Sequence, residues 1–198
     1  MVASRRSVVF GLAGLVYTIP TLTWAAGAPR VVRIKTTEVE NLFRVTPRLY
    51  RSAQPTRTGF HYLSQRLGIK TILSLREHHD DADLSSGTEL SLQRVPMNTW
   101  HIGDDEGEKV VRALRLIREG EKRGPVLVHC QHGSDRTGAI IALYRIVYQG
   151  WNKERAIREM MQGGFGFHPI WASLPEWGNI PAFIRKVDID DLKRRVGV

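Results

Sequence analysis

Downstream of Pro29 the chain alternates short apolar runs with longer stretches in which apolar residues recur every three or four positions. Arg30–Lys35 and Phe43–Val45 read as short strands, and Leu49–Arg51 follows the turn at Thr46-Pro47. Thr71–Leu75 is a β-branched apolar run short enough for a buried strand, and Leu92–Pro96 reads as another. Val126-Leu127-Val128 is the clearest strand, because a polar, Gly-containing turn and the apolar helix Ala139–Tyr148 follow it directly. Thr58 is placed to cap a helix running through Leu67 and ended by Gly68. Val110, Val111, Leu114 and Ile117 mark one face of a second helix, closed by Gly120. Asn152 caps a further helix bearing Ala156, Ile157, Met160 and Met161, and loop and short helices follow Gly163. The acidic, Ser-rich segment Asp80–Gly87 reads as a loop or loose helix entry. Strands interleaved with helices predict one α/β domain over 29–198, with a mostly parallel central sheet flanked by helices.

Residues 1–28 follow a different rule. Arg5-Arg6 precede a stretch without charge that lasts until Arg30, and small residues cluster at Ala25-Ala26-Gly27-Ala28. A basic start, an apolar middle and a small-residue cleavage zone predict a secretory signal peptide over 1–28. An uncleaved anchor is the competing reading, weakened by Gly11, Gly14 and Pro20. Ser4-Arg5-Arg6 also suggests the twin-arginine route. The expectation is an exported domain, periplasmic in a Gram-negative bacterium, without stable membrane insertion once cleaved.

The 198 residues carry 42% hydrophobic and 25% charged side chains, ordinary for a folded domain. Net charge is +9, and removing 1–28 takes two arginines and no acid, leaving 9 − 2 = +7. Such a surface favours acidic partners without choosing among them. A single cysteine excludes a disulfide framework and any structural zinc site built on cysteines. In an exported chain it also raises the question of a reactive thiol.

That cysteine stands in Val128-His129-Cys130-Gln131-His132-Gly133-Ser134-Asp135-Arg136-Thr137-Gly138, between buried strand and helix. A loop entering a helix N-terminus points several backbone N–H groups inward, and with the helix dipole they make an anion site. The same field would favour the thiolate form of Cys130. Arg136 can hold two phosphate oxygens at once. Gly133 supplies the backbone freedom that a tight cradle needs. A nucleophile thus stands beside a site for a tetrahedral dianion.

His-Cys-x2-Gly-x2-Arg-Thr-Gly resembles the signature loop of cysteine-dependent protein tyrosine phosphatases. Leu49-Tyr50-Arg51-Ser52-Ala53-Gln54-Pro55, Gly68-Ile69-Lys70-Thr71-Ile72-Leu73 and Gly163-Gly164-Phe165-Gly166-Phe167-His168 extend the likeness to small, dual-specificity-like bacterial phosphatases. The resemblance implies the dual-specificity phosphatase fold and a phosphocysteine intermediate. It makes Cys130 the nucleophile, Arg136 the phosphate clamp and Thr137 a hydroxyl that eases departure of the sulfur. His129 braces the loop through hydrogen bonds. Gln131, His132, Gly133, Ser134, Asp135, Arg136 and Thr137 then line the substrate phosphate. Asp135 is the misfit: facing inward it would raise the thiol pKa, facing outward it would not.

A poor leaving group needs an acid, which the resemblance places on a loop some tens of residues before the nucleophile. Asn98–Glu106 occupies that interval, with Trp100 to anchor it and Gly103 to turn it. Asp104 is the candidate acid, Asp105 its rival; the plainer role for either is capping the helix near Glu106. His78-His79-Asp80-Asp81 reads as a solvated loop, Lys193-Arg194-Arg195 as a solvated helix end, and Phe165, Phe167 and Trp171 as core packing, with one of them at the pocket rim as the alternative. No His/Asp/Glu grouping has metal-ligand spacing, so the expected chemistry uses no metal or cofactor. The expected partner is a phosphorylated protein, phosphotyrosine first, and no nucleic acid. An inositol-phosphate or phosphoinositide phosphatase and a non-catalytic phosphoprotein-binding module are the alternatives. Oligomeric state is not legible.

Overall fold

Three wholly buried strands organise the molecule. In the computed structural model, which describes residues 31–98, 106–175 and 179–198, Leu49–Ser52, Val126–His129 and Thr71–Ser74 lie side by side in that order within a six-stranded sheet. The strands are β1 (Val32–Arg33), β2 (Phe43–Thr46), β3 (Leu49–Ser52), β4 (Thr71–Ser74), β5 (Ser91–Arg94) and β6 (Val126–His129), in the order β1-β2-β3-β6-β4-β5. β3, β6, β4 and β5 run parallel, and β2 and β1 extend the sheet antiparallel from β3. The predicted mostly parallel sheet is therefore present, with an antiparallel edge.

Alternation along β6 divides the core. Val126 and Val128 face one layer with α2 (Glu106–Arg123), α3 (Asp135–Gln149) and α4 (Lys153–Gln162), joined by α6 (Ile180–Lys186) and α7 (Ile189–Val196). Leu127 and Ile72 face the other, with Phe60 and Leu63 of α1 (Arg57–Gln65). A short α5 (Ile170–Ser173) completes the helices of the described residues. α3 is enclosed along nearly its whole length, from Thr137 to Val147, so the helix that follows the cysteine loop is the central one.

Several boundaries differ from the sequence reading. α1 is capped by Thr56, whose extended backbone lets its side chain accept from Gly59 N at 3.1 Å, and ends at Gln65, not Leu67. α2 continues past Gly120 to Arg123, because Gly120 is a packing residue: a Cβ there would lie 2.7 Å from Val126 Cγ2. β1 shrinks to two residues, and β5 begins one residue early and ends at Arg94.

Candidate active site

The loop leaving β6 is held from outside by its carbonyls. Gln131 O accepts from Gln54 N (3.1 Å) and His132 O from Asn41 Nδ2 (2.8 Å). Gly133 O accepts from Arg51 Nη2 at 2.6 Å, and Ser134 O from the same nitrogen (3.3 Å) and from Gly138 N (2.8 Å). In a trans peptide the N–H points opposite to the C=O. Four successive anchored carbonyls therefore turn the N–H groups of His132, Gly133, Ser134 and Asp135 to the loop's inner side. The loop packs so closely on β3 that a Cβ at Gly133 would stand 2.3 Å from Ser52 O, and its φ of +72° is left-handed. Only glycine meets both demands without strain.

Cys130 opens this loop, buried at 2% exposure. Arg136, in the first turn of α3, rests its Nη1 at 3.4 Å from both Leu75 O and Met97 O, contacts at the long end of hydrogen bonding. Its Nε and the Thr137 hydroxyl are buried without protein partners. Buried donors of this kind are costly unless a ligand or water satisfies them, and an anion in the loop would do so. Arg76 adds a further cation: Nη1 donates to Gln54 Oε1 at 3.0 Å. Burial lowers its pKa and nearby Arg136 reinforces this, while Asp81 and Cys130 oppose it, so Arg76 shares the field of the site.

Behind the cysteine, fully buried His129 donates from Nε2 to Asp81 Oδ2 at 2.8 Å, and its Nδ1 lies 3.3 Å from Cys130 O. Asp81 Oδ1 accepts from Gln54 Nε2 at 2.8 Å. Burial alone would raise the Asp81 carboxyl, but the hydrogen bond and charge of His129, with Gln54, hold it below the usual carboxylate range. This corrects the reading of His78–Asp81 as a solvated loop: His78 is exposed, but Asp81 is 5% exposed. The turn begun by Asp80, which accepts from Ala82 N at 2.8 Å, folds Asp81 inward.

The sequence profile of the tyrosine phosphatase family matches residues 37–163, which contain this entire arrangement. The chain belongs to that family. Dual specificity protein phosphatase TpbA of Pseudomonas aeruginosa is 39% identical over 153 residues, a match taking in 77% of this chain and 65% of TpbA. Inositol diphosphatase SIW14 of Saccharomyces cerevisiae is 29% identical over 160 residues, covering 78% of this chain and 53% of that protein. The chain thus spans less than two thirds of these curated relatives. The crystal structure of P. aeruginosa TpbA superposes with a TM-score of 0.72 at 33% identity, over 87% of this chain and 99% of that one. A Cys-to-Ser variant of TpbA in complex with phosphotyrosine gives a TM-score of 0.71 at 32% identity, over 87% of this chain and 98% of that one. The catalytic core of S. cerevisiae SIW14 in complex with citrate gives 0.66 at 26% identity, over 81% of this chain and 93% of that one.

Within this tyrosine phosphatase family member, Cys130, Gly133, Ser134, Asp135, Arg136 and Thr137 all meet at the β6–α3 turn, and Gln131 and His132 stand exposed at its rim. Asp135 is mostly buried, and its Oδ1 lies 3.5 Å from His168 N and its Oδ2 3.3 Å from Ser134 Oγ. Asp104, Asp105, Trp100 and Gly103 lie outside the described residues, as does the 1–28 segment. Sequence reasoning gave no role to Arg51, Asn41, Gln54, Arg76 or Asp81. A charged residue inside the buried run Leu49-Tyr50-Arg51-Ser52 was a signal for the first; local pattern held none for Asn41.

Proposed function

We propose that this chain is a cysteine-dependent phosphatase that hydrolyses phosphate monoesters on proteins, phosphotyrosine first. The carrying observation is the set of carbonyls anchored from Gln131 to Ser134, which turns a row of N–H donors to the inner side of the loop that Cys130 opens and Arg136 closes. Cys130 Sγ attacks phosphorus, and the P–O bond to the leaving group breaks as the P–S bond forms. Asp104 gives its proton to the departing oxygen. Water then attacks the phosphocysteine, the same carboxylate accepts the water's proton, and inorganic phosphate leaves the regenerated thiolate. Arg136 holds two equatorial oxygens through both displacements. The Thr137 hydroxyl, buried without a protein partner, supports the sulfur as it departs. The intact nucleophile and arginine weigh against a non-catalytic binding module.

TpbA, known with phosphotyrosine bound, supports the phosphoprotein reading. The relative named an inositol diphosphatase supports a second reading, in which the same loop takes inositol phosphates. We also propose that residues 1–28 direct export and are removed near Ala26–Arg30, leaving the domain in the periplasm of a Gram-negative host; full-length protein in the cytosolic fraction would exclude this.

The deciding assay compares phosphotyrosine, phosphoserine and phosphothreonine peptides with inositol phosphates, using wild type and Cys130→Ser. Phosphotyrosine turnover abolished by Cys130→Ser, with vanadate binding retained, is the expected result. Turnover surviving in Cys130→Ser would remove the covalent mechanism. A preference for inositol phosphates would transfer the substrate to the second reading.

A further inference from the structure

Arg51 and Arg145 head the fully buried side chains of the molecule, and they are handled differently. Arg145 is neutralised by Glu159 through two hydrogen bonds of 2.9 and 3.0 Å. Arg51 has no carboxylate within hydrogen-bonding distance among the described residues. Its Nη2 donates to the Gly133 and Ser134 carbonyls, its Nε is buried without a partner, and its guanidinium lies 3.8 Å over the Phe165 ring. The first turn of α3 closes over it, since a Cβ on Gly138 would sit 3.7 Å from Nη2.

Burying an arginine without a bonded counter-ion is costly, so a fold that keeps one there needs a negative group nearby. Burial draws the Arg51 guanidinium down to about 10, so it remains charged at neutral pH. Foremost among the charges that resist the fall is Cys130, ahead of Glu159 and Asp135. The pairing is reciprocal, because whatever a thiolate does to hold Arg51 charged, Arg51 does to hold the thiol ionised. The strand register explains the placement. Arg51 pairs with Val128 across β3 and β6, two residues before the cysteine, and its side chain rises on the α3 side of the sheet.

We propose that Arg51 is a positioning residue of the phosphatase site, acting from beneath the loop in two ways. Its hydrogen bonds turn the Ser134 and Asp135 N–H groups toward the phosphate position, and its buried positive charge, set beneath the loop, favours negative charge on the Cys130 sulfur. Arg136 acts on the substrate; Arg51 acts on the loop and on the nucleophile. This deepens the phosphatase reading above and rests on it.

Because Cys130 is the sole cysteine of the 198 residues, alkylation by iodoacetamide reports on it alone. The rate is measured against pH on wild type, Arg51→Met and Arg51→Lys, with inorganic phosphate as protecting ligand. Arg51→Met, which fills similar space without charge, should raise the apparent thiol pKa by about one unit or more. Arg51→Lys keeps the charge but loses the fork that reaches both carbonyls, so the thiol should move less while phosphate protection still weakens several-fold. Folded Arg51→Met with a wild-type alkylation profile would overturn the charge role. Should Arg51→Met not fold, Arg51→Gln with a wild-type alkylation profile would overturn the charge role, and Arg51→Lys with wild-type phosphate protection would overturn the loop role. Wild-type turnover of phosphotyrosine is measured alongside: its absence with the thiol shift intact would fault the proposed substrate and leave Arg51's role standing.

Discussion

Asp81 Oδ2 and His129 Nε2 meet at 2.8 Å across 48 residues of sequence, joining the turn after β4 to the strand that delivers the cysteine. Both side chains are almost wholly enclosed. The pair fixes the imidazole one residue before Cys130, and through Gln54 it reaches the segment that anchors Gln131 O. Cys130 thus stands on a polar support as well as an apolar core.

The Asp81 carboxyl lies below its ordinary value in the folded state, so the unfolded chain binds that proton more readily. The stability it contributes is full above the ordinary carboxylate pKa of about 4 and is lost as pH falls through the lower folded value. Asp81→Asn should therefore unfold more easily at pH 7 and lose its deficit against wild type in strong acid. Thermal melts of both proteins from neutral to acid pH measure the gap. A gap that stays constant across the range would mean that the carboxyl is not held low by this pair.

Asn41 adopts a left-handed φ of 53° and donates from one amide nitrogen to His132 O and Phe165 O, both at 2.8 Å. It joins the cysteine loop to the segment whose ring covers Arg51. Asn41→Gly keeps the backbone conformation and loses the hydrogen bonds, which should cost about 1–3 kcal/mol and loosen vanadate binding. Asn41→Asp should be worse than glycine, because a carboxylate would face two carbonyl oxygens that need a donor. Chemical denaturation and vanadate titration of the two variants give the order; the reverse order would show that the backbone, not the amide, matters.

What could be read in the sequence was whatever depends on neighbours along the chain. Val126–Val128 followed by a polar turn and an apolar helix announced β6, the loop and α3, and with them the places of Cys130 and Arg136. Arg51 escaped a role because its partners, Gly133 and Ser134, arrive only when β3 pairs with β6. Asp81 sat in a charged stretch that local composition assigns to solvent; its burial depends on His129. By local pattern Gly120 reads as a helix stop, yet it is where α2 crosses β6, a packing demand without local signature.

The α3–α4 contact gives a stability test independent of catalysis. Arg145 is fully buried, bound bidentately by Glu159, by Gln149 Oε1 at 2.6 Å, and stacked 4.5 Å over Trp151. Glu159→Ala leaves an enclosed guanidinium without its carboxylate and should cost roughly 3 kcal/mol. For a chain of this size that is a fall in Tm of about 6–12 °C. Gln149 limits the loss by keeping one hydrogen bond. A shift under about 2 °C would mean that water or repacking replaces the carboxylate.

The proton donor separates two adjacent aspartates. If Asp104 protonates the leaving oxygen, Asp104→Asn should slow phosphotyrosine far more than esters whose leaving groups depart unaided. General acid catalysis contributes about 10² to 10⁴ in rate, so the loss should be large for phosphotyrosine and small for an activated aryl phosphate. The variant should also lose the part of its pH–rate profile that requires a protonated acid. Asp105 directly precedes Glu106 in sequence, where α2 begins, so capping that helix is its plainer role. Asp105→Asn should then cost no more than about 1 kcal/mol of stability and leave the leaving-group dependence at its wild-type slope. Neighbouring side chains leave the backbone in different directions, so one loop geometry cannot set both over the same oxygen. Rates for both variants across a series of aryl and alkyl phosphates decide between them. A steepened dependence in Asp105→Asn, with Asp104→Asn near wild type, would move the role one residue along; an unchanged slope in both would place the acid elsewhere.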